Sequence, residues 1–192
     1  MWLFTDRAHY DFCMKTLYNN KSYRASGGYI PCYKAIVMDI SVGNGILVHE
    51  TVHAFIHANF PRCPVWFNEG LASLYNRCRE ENGEMRGCPD GTVVSLQRSI
   101  CSRDILPFEE LCALTFKEFH GNSEARNYAQ SHYLCYYMQE RDLLKEYYHA
   151  FYVDRRRDPT GYKTLQRLLA GRDMRQFQED WEALVLAIAA PA

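Results

Sequence analysis

Apolar side chains at 48, 52, 55 and 56 recur at the spacing of one helical face, and the segment 46–57 around them predicts a buried helix over 45–59. Asn44 is placed to cap it, with Gly43 and Gly45 making the turn before it. Downstream, 3.6-residue periodicity predicts further helices near 65–79, 107–118, 123–140, 142–153, 160–170 and 173–188, with Ser123 and Asp173 as caps. A short strand is predicted over 2–5, then a helix capped by Asp6 that runs to about Asn19. Two strands follow, 27–33 and 34–40, separated by a kink at Pro31. The fold class is therefore α+β: a small N-terminal β-sheet lobe followed by a mainly helical lobe.

The length of 192 residues fits one domain spanning 1–192, with 1–60 as sheet plus helix and 61–192 as the helical lobe. A net charge of −1 argues against a nucleic-acid partner, which would call for a basic excess. The single basic cluster, Arg155-Arg156-Arg157, stands before Asp158-Pro159 and reads as a solvated loop. No stretch approaches the ~20 apolar residues of a membrane span. The segment 1–6 lacks the features of a secretory signal, and 183–190 reads as the end of an amphipathic helix. Localisation stays open, and an excised domain of an exported bacterial protein fits the same sequence.

Eight cysteines form no Cys-x-x-Cys pair, which removes a zinc ribbon or a thioredoxin-type site. Cys78 and Cys88 flank a glycine-containing loop that a disulfide could close in an oxidising compartment. Cys13, Cys112 and Cys135 read as small buried hydrophobes. The aromatic run 133–138 reads as core.

The chemistry concentrates in His49-Glu50-Thr51-Val52-His53. Histidines four apart share one helical face, so both imidazoles can reach one metal ion. Glu50 lies about 100° around the helix from His49 and can flank that metal without binding it. This is the arrangement of a zinc hydrolase, whose carboxylate handles the protons of the attacking water. A catalytic zinc keeps three protein ligands and leaves a position for water. Glu69, in Trp66-Phe67-Asn68-Glu69-Gly70-Leu71-Ala72 and 16 residues after His53, is the candidate third ligand. Pro61 and Pro64 supply a turn that folds its helix back. His57 extends the histidine stripe as a capping or supporting residue, while His9, His120 and His149 read as surface or packing residues.

The pair His-Glu-Thr-Val-His and Trp-Phe-Asn-Glu-Gly-Leu-Ala resembles the gluzincins, zinc metallopeptidases whose third ligand is a glutamate in a W-[LF]-N-E-G-[LF]-A segment. The likeness is strongest to the peptidase MA-like bacterial domains and covers residues 2–75, with Tyr128-Ala129-Gln130-Ser131 resembling a further helix of that group. It implies a zincin-like catalytic core with the HExxH helix between the two lobes, Zn²⁺ held by His49, His53 and Glu69, and Glu50 as general base. It also implies an oxyanion donor on a downstream helix. Tyr128 is the first candidate, and His132, four residues on, the second. Two departures stand out. The interval from His53 to Glu69 is shorter than in the aminopeptidase N type, and Ser73 stands where an acid often orients a zinc histidine.

The implied partner is a peptide or protein substrate. In such an architecture the strand 27–33 can pair with an extended chain, Pro31 shortening the edge it offers, although the Gly27-Gly28 pair also suits a plain turn. The aminopeptidase N type grips the substrate amine with a glutamate in the corresponding strand. No acid lies in 27–30 here and Asp39 is on the next strand, so an endopeptidase is favoured unless Asp39 takes that role. Two other readings share the residues: a catalytically silent zinc-containing peptide-binding or structural domain, and a zinc amidase acting on a non-peptide amide.

Overall fold

Asp6 starts the first helix as its side chain dictates: Oδ1 accepts the His9 N–H at 3.0 Å, a classical capping contact. The His9 ring adds a 2.6 Å contact to Oδ2, and these bonds to the anion hold the Asp6 carboxyl below its usual range. The computed structural model describes residues 1–17, 26–42, 45–171 and 173–190. The helix end at Asn19 and the predicted Gly43-Asn44 turn and cap lie outside them.

The chain is α+β and divides into two compact units, Met1–Pro61 and Arg62–Ala192. The first unit comprises β1 (Trp2–Phe4), α1 (Arg7–Leu17), β2 (Gly27–Ile30), β3 (Ala35–Asp39) and α2 (Gly45–Asn59). Its sheet runs in the order β1-β3-β2, with β1 parallel and β2 antiparallel to β3. Between β2 and β3 the chain turns through a short 3-10 segment, Pro31–Tyr33, and Lys34 in the left-handed region. Proline lacks the N–H a ladder needs, so β2 stops at Ile30 instead of running to 33 as the sequence suggests. Alternation then sorts the faces. Ala35 and Val37 pack with Tyr10, Cys13 and Met14 of α1. Tyr29 stands opposite Ile36 on the other face and reaches α2 from there.

The second unit comprises α3 (Val65–Asn76), β4 (Cys78–Glu81), β5 (Glu84–Gly87), α4 (Thr92–Cys101), α5 (Phe108–Ala113), α6 (Phe116–Phe119), α7 (Glu124–Glu140), α8 (Leu144–Asp154), α9 (Tyr162–Leu168) and α10 (Met174–Ala187). Three sequence expectations are corrected in it. The helix from 65 ends at Asn76, because Asn82 (φ 54°) and Gly83 (φ 81°) form the left-handed turn of a β-hairpin whose strands begin at Cys78. Helix α4 was not foreseen. The span 107–118 breaks at Leu114, because Thr115 and Glu118 make a reciprocal capping box that starts α6 afresh.

Of the two predicted caps, Asp173 accepts the Arg175 N–H at 2.9 Å. Ser123 makes no capping bond: at ψ 21° its backbone is not in the extended N-cap geometry. All eight cysteines are free, with Cys13, Cys112 and Cys135 buried. The 78–88 disulfide meets a geometric obstacle. Cys78 pairs with Gly87, one residue out of register with Cys88, so the two side chains leave opposite faces of the hairpin.

Within this unit α3 lies on α7, and the run 133–138 is core as expected: Tyr133, Leu134, Cys135, Tyr137 and Met138 are buried. Gly70 allows the close crossing. A Cβ there would stand 2.8 Å from both the Ser131 carbonyl oxygen and Cys135 Sγ. Backbone on one side cannot yield as a side-chain tip can. Gly70→Ala is expected to cost about 1–3 kcal/mol, despite the better helix propensity of alanine, measured as a lowered midpoint in urea. An unchanged midpoint would mean that the two helices do not touch there.

Candidate functional site

In the first unit the chemistry sits on α2. The helix carries His49 and His53 one turn apart, ring centroids 4.6 Å from each other and planes at 87°. Both imidazoles are half-buried, while Glu50 between them is buried. The helical expectation for 45–59 is met residue for residue at both ends. The Thr51 hydroxyl is satisfied within the helix, donating back to the Leu47 carbonyl at 2.8 Å.

A buried carboxylate needs a donor. Glu50 Oε2 has one, accepting the backbone N–H of Tyr29 at 2.5 Å, a short charge-assisted bond. The same tyrosine reaches α2 a second time, its hydroxyl 2.8 Å from His57 Nδ1. His57 is exposed, and this contact ties β2 to the last turn of α2. Asp39 is otherwise engaged. Its Oδ1 accepts the Ser41 N–H at 3.0 Å and the Ser41 hydroxyl at 2.5 Å, an Asx-type turn closing β3 on the face opposite Tyr29. Only Oδ1 is so engaged; Oδ2 is buried with no hydrogen-bond partner among the described residues.

In the second unit Glu69 lies in the middle of α3 and is buried. Pro64, at φ −64° and ψ 152°, sets the entry to the helix. Trp66 then fixes the first turn: it is wholly buried and its Nε1–H donates to the Thr160 carbonyl at 2.9 Å. That carbonyl is held in turn by Asp158, whose buried carboxylate accepts the N–H groups of Gly161 (3.1 Å) and Thr164 (2.7 Å) and the Thr160 hydroxyl (3.1 Å). This brace was missed in the sequence, although Asp-Pro-Thr-Gly is a turn signal in its own right. Near Glu69, burial and then the charge of that carboxylate push the Cys63 thiol up, out of thiolate range.

The two oxyanion candidates share α7. Tyr128 is half-buried, its ring against Phe119 (5.1 Å) and His120 (5.7 Å). It lies one turn before Ser131 on the α7 face that receives Gly70. His132 is buried and stacked on Tyr133 with centroids 4.5 Å apart. Its Nδ1 is 3.7 Å from Asp90 Oδ1; burial lowers the imidazole pKa and the Asp90 charge opposes that shift. Tyr133 fixes Asp90, its hydroxyl donating to the Asp90 carbonyl and accepting the Asp90 N–H, both at 3.0 Å. Of the remaining histidines, His120 Nδ1 is 2.9 Å from Glu124 and His149 is exposed.

His49, His53 and Glu69 are a donor set of two imidazoles and a carboxylate that could hold a metal ion. Zinc and other divalent first-row metals share such donors. No helix among the described residues is long and apolar enough to cross a membrane. Comparison of the chain with family profiles, with characterised proteins and with solved structures returns no match.

Proposed function

We propose that the protein is a zinc-dependent metallopeptidase of the gluzincin type, with a zincin-like core, in which His49, His53 and Glu69 hold Zn²⁺. The observation that carries the reading is the α2 face itself: two imidazoles one turn apart with a buried carboxylate between them in sequence. Nitrogen, nitrogen and carboxylate oxygen suit zinc, and three protein ligands leave it an open position. A zinc ion so held supplies Lewis acidity, lowering the pKa of water toward ~7 and polarising a carbonyl.

The residues of the chain do the rest. Glu50 accepts the proton of the attacking water and delivers it to the leaving amine. The outer edge of β2 offers main-chain groups to an extended peptide, and the lack of an acid in 27–30 to grip a free amine favours an endopeptidase. Tyr128, or else His132, donates to the oxyanion. A second reading has its own support. The Tyr29–Glu50 bond gives a silent zinc-containing peptide-binding domain a structural reason to keep Glu50, and only turnover separates it from the enzyme.

Metal analysis tests the ligand set. Protein purified after zinc loading is expected to carry about one zinc per chain, and His49→Ala and Glu69→Ala are each expected to lose most of it. Incubation of the loaded wild type with a diverse peptide library, read by mass spectrometry, tests the reaction. A full zinc load in Glu69→Ala would remove the third ligand, and an untouched library would remove the peptidase.

A further inference from the structure

The sheet of the first unit ends at β2 among the described residues, since its order is β1-β3-β2. In an antiparallel pair successive residues turn their N–H and C=O groups alternately toward the partner strand and away from it. Tyr29 sends its N–H to Glu50, so its main chain faces the open side, while those of Gly28 and Ile30 face β3. The Tyr29 amide, like that of Gly27 two residues before it, is therefore on the side that β2 turns to a further extended chain, and the Glu50 carboxylate already occupies the Tyr29 amide. One N–H cannot serve two acceptors at full strength, because each bond needs the proton near the line to its own oxygen.

We propose that the Glu50–Tyr29 bond is a latch displaced by substrate: the main-chain carbonyl of an extended peptide takes the Tyr29 N–H, and Glu50 is released to act on water. The proposal rests on the metallopeptidase reading and adds the chemical class the latch recognises, a backbone carbonyl presented by a chain in strand conformation. Without such a chain, Glu50 stays on the amide and the base is withheld. A bound side chain or a small amide that does not line up along β2 leaves the latch shut. The Tyr29 hydroxyl, held at 2.8 Å by His57 Nδ1, keeps the strand against α2 while its amide changes partner. No bond other than hydrogen bonds is made or broken in this step.

Amide hydrogen exchange and proton shifts on the ¹⁵N-labelled, zinc-loaded full chain test it. Without peptide, the Tyr29 amide of wild type is expected to exchange about tenfold more slowly than in Glu50→Ala. Gly28 and Ile30, bonded to β3, should differ little and so report that the sheet is intact. Should Glu50→Ala fail to fold, Glu50→Gln takes its place, with the Tyr29 amide proton moving upfield as a neutral acceptor replaces the carboxylate. A Tyr29 amide that neither exchanges faster nor shifts in these variants overturns the latch.

The second arm adds a pool of unstructured decapeptides of mixed sequence to Glu50→Gln. The Tyr29 resonance is expected to shift saturably, with half-saturation about tenfold lower than for wild type under conditions where cleavage is blocked by cooling, since the variant's own acceptor is weaker. A Tyr29 resonance unmoved by the pool overturns the latch, whether or not wild type cleaves those peptides. A Tyr29 amide that responds while zinc-loaded wild type cleaves none of them sustains the displacement and overturns the peptidase instead.

Discussion

Glu50→Gln is expected to keep about one zinc per chain and to lower peptide cleavage by about 10²–10⁴-fold. The asymmetry follows from what the side chain does in each reading. Glutamine has the size and shape of glutamate, and its carbonyl oxygen can still accept the Tyr29 N–H that holds Glu50 at 2.5 Å, so α2 and β2 keep their relation. It is not among the three proposed ligands, so the metal stays. What glutamine cannot do is take a proton from water near neutral pH, and the reaction loses its base. Zinc by atomic spectroscopy, a thermal melt and cleavage of a peptide already shown to be turned over by wild type give the three readings. Equal turnover in the variant would show that Glu50 is held for structure alone, which is the silent-module reading.

Trp66→Ala should carry a large stability loss, about 3–5 kcal/mol. The indole is wholly buried, its ring centroid 5.2 Å from Phe67 and 6.2 Å from Tyr147, and its N–H satisfies the Thr160 carbonyl. Truncation leaves a large void and an orphaned carbonyl in the turn that Asp158 organises. Against a total stability of about 5–15 kcal/mol for an ordinary domain, the variant stands near the edge of unfolding at body temperature. Urea titration followed by far-UV circular dichroism measures it, and a loss under about 1 kcal/mol would mean that the indole is not the anchor of α3. Trp66→Phe, which loses the N–H and only part of the volume, should fall between.

How much could be read from the chain alone depends on the range of the forces involved. Helix α2 was legible because period, histidine spacing and the cost of burying polar groups all point the same way. The break at Pro31 was legible because proline removes a donor wherever it stands. The β4–β5 hairpin was equally local, signalled by Asn82-Gly83, but a helical pattern ending just before it drew the boundary past Asn76. Other features had no local signal. The bond from Glu50 to the Tyr29 amide joins residues 21 apart, and the Trp66–Thr160 brace residues 94 apart. The partner in each case is a backbone group, which every residue carries, so side-chain identity does not announce it. The same holds for Gly70. A glycine inside a helix is unfavourable by propensity, and only the approach of α7 shows why one stands there.

The parallel pairing of β1 with β3 has a kinetic consequence. Trp2 comes to lie beside Val37 and Phe4 beside Asp39, so docking β1 closes a loop of about 35 residues. Contacts in the second unit between a strand and its next neighbour, or a helix and the turn after it, close far shorter loops. Since loop closure costs more as the loop lengthens, the β2–β3 pair, with Ile30 beside Ala35, closes more cheaply than the pairing of β1 with β3. Within the first unit, β1 is thus expected to join after the β2–β3 pair and to be the edge from which that sheet opens first.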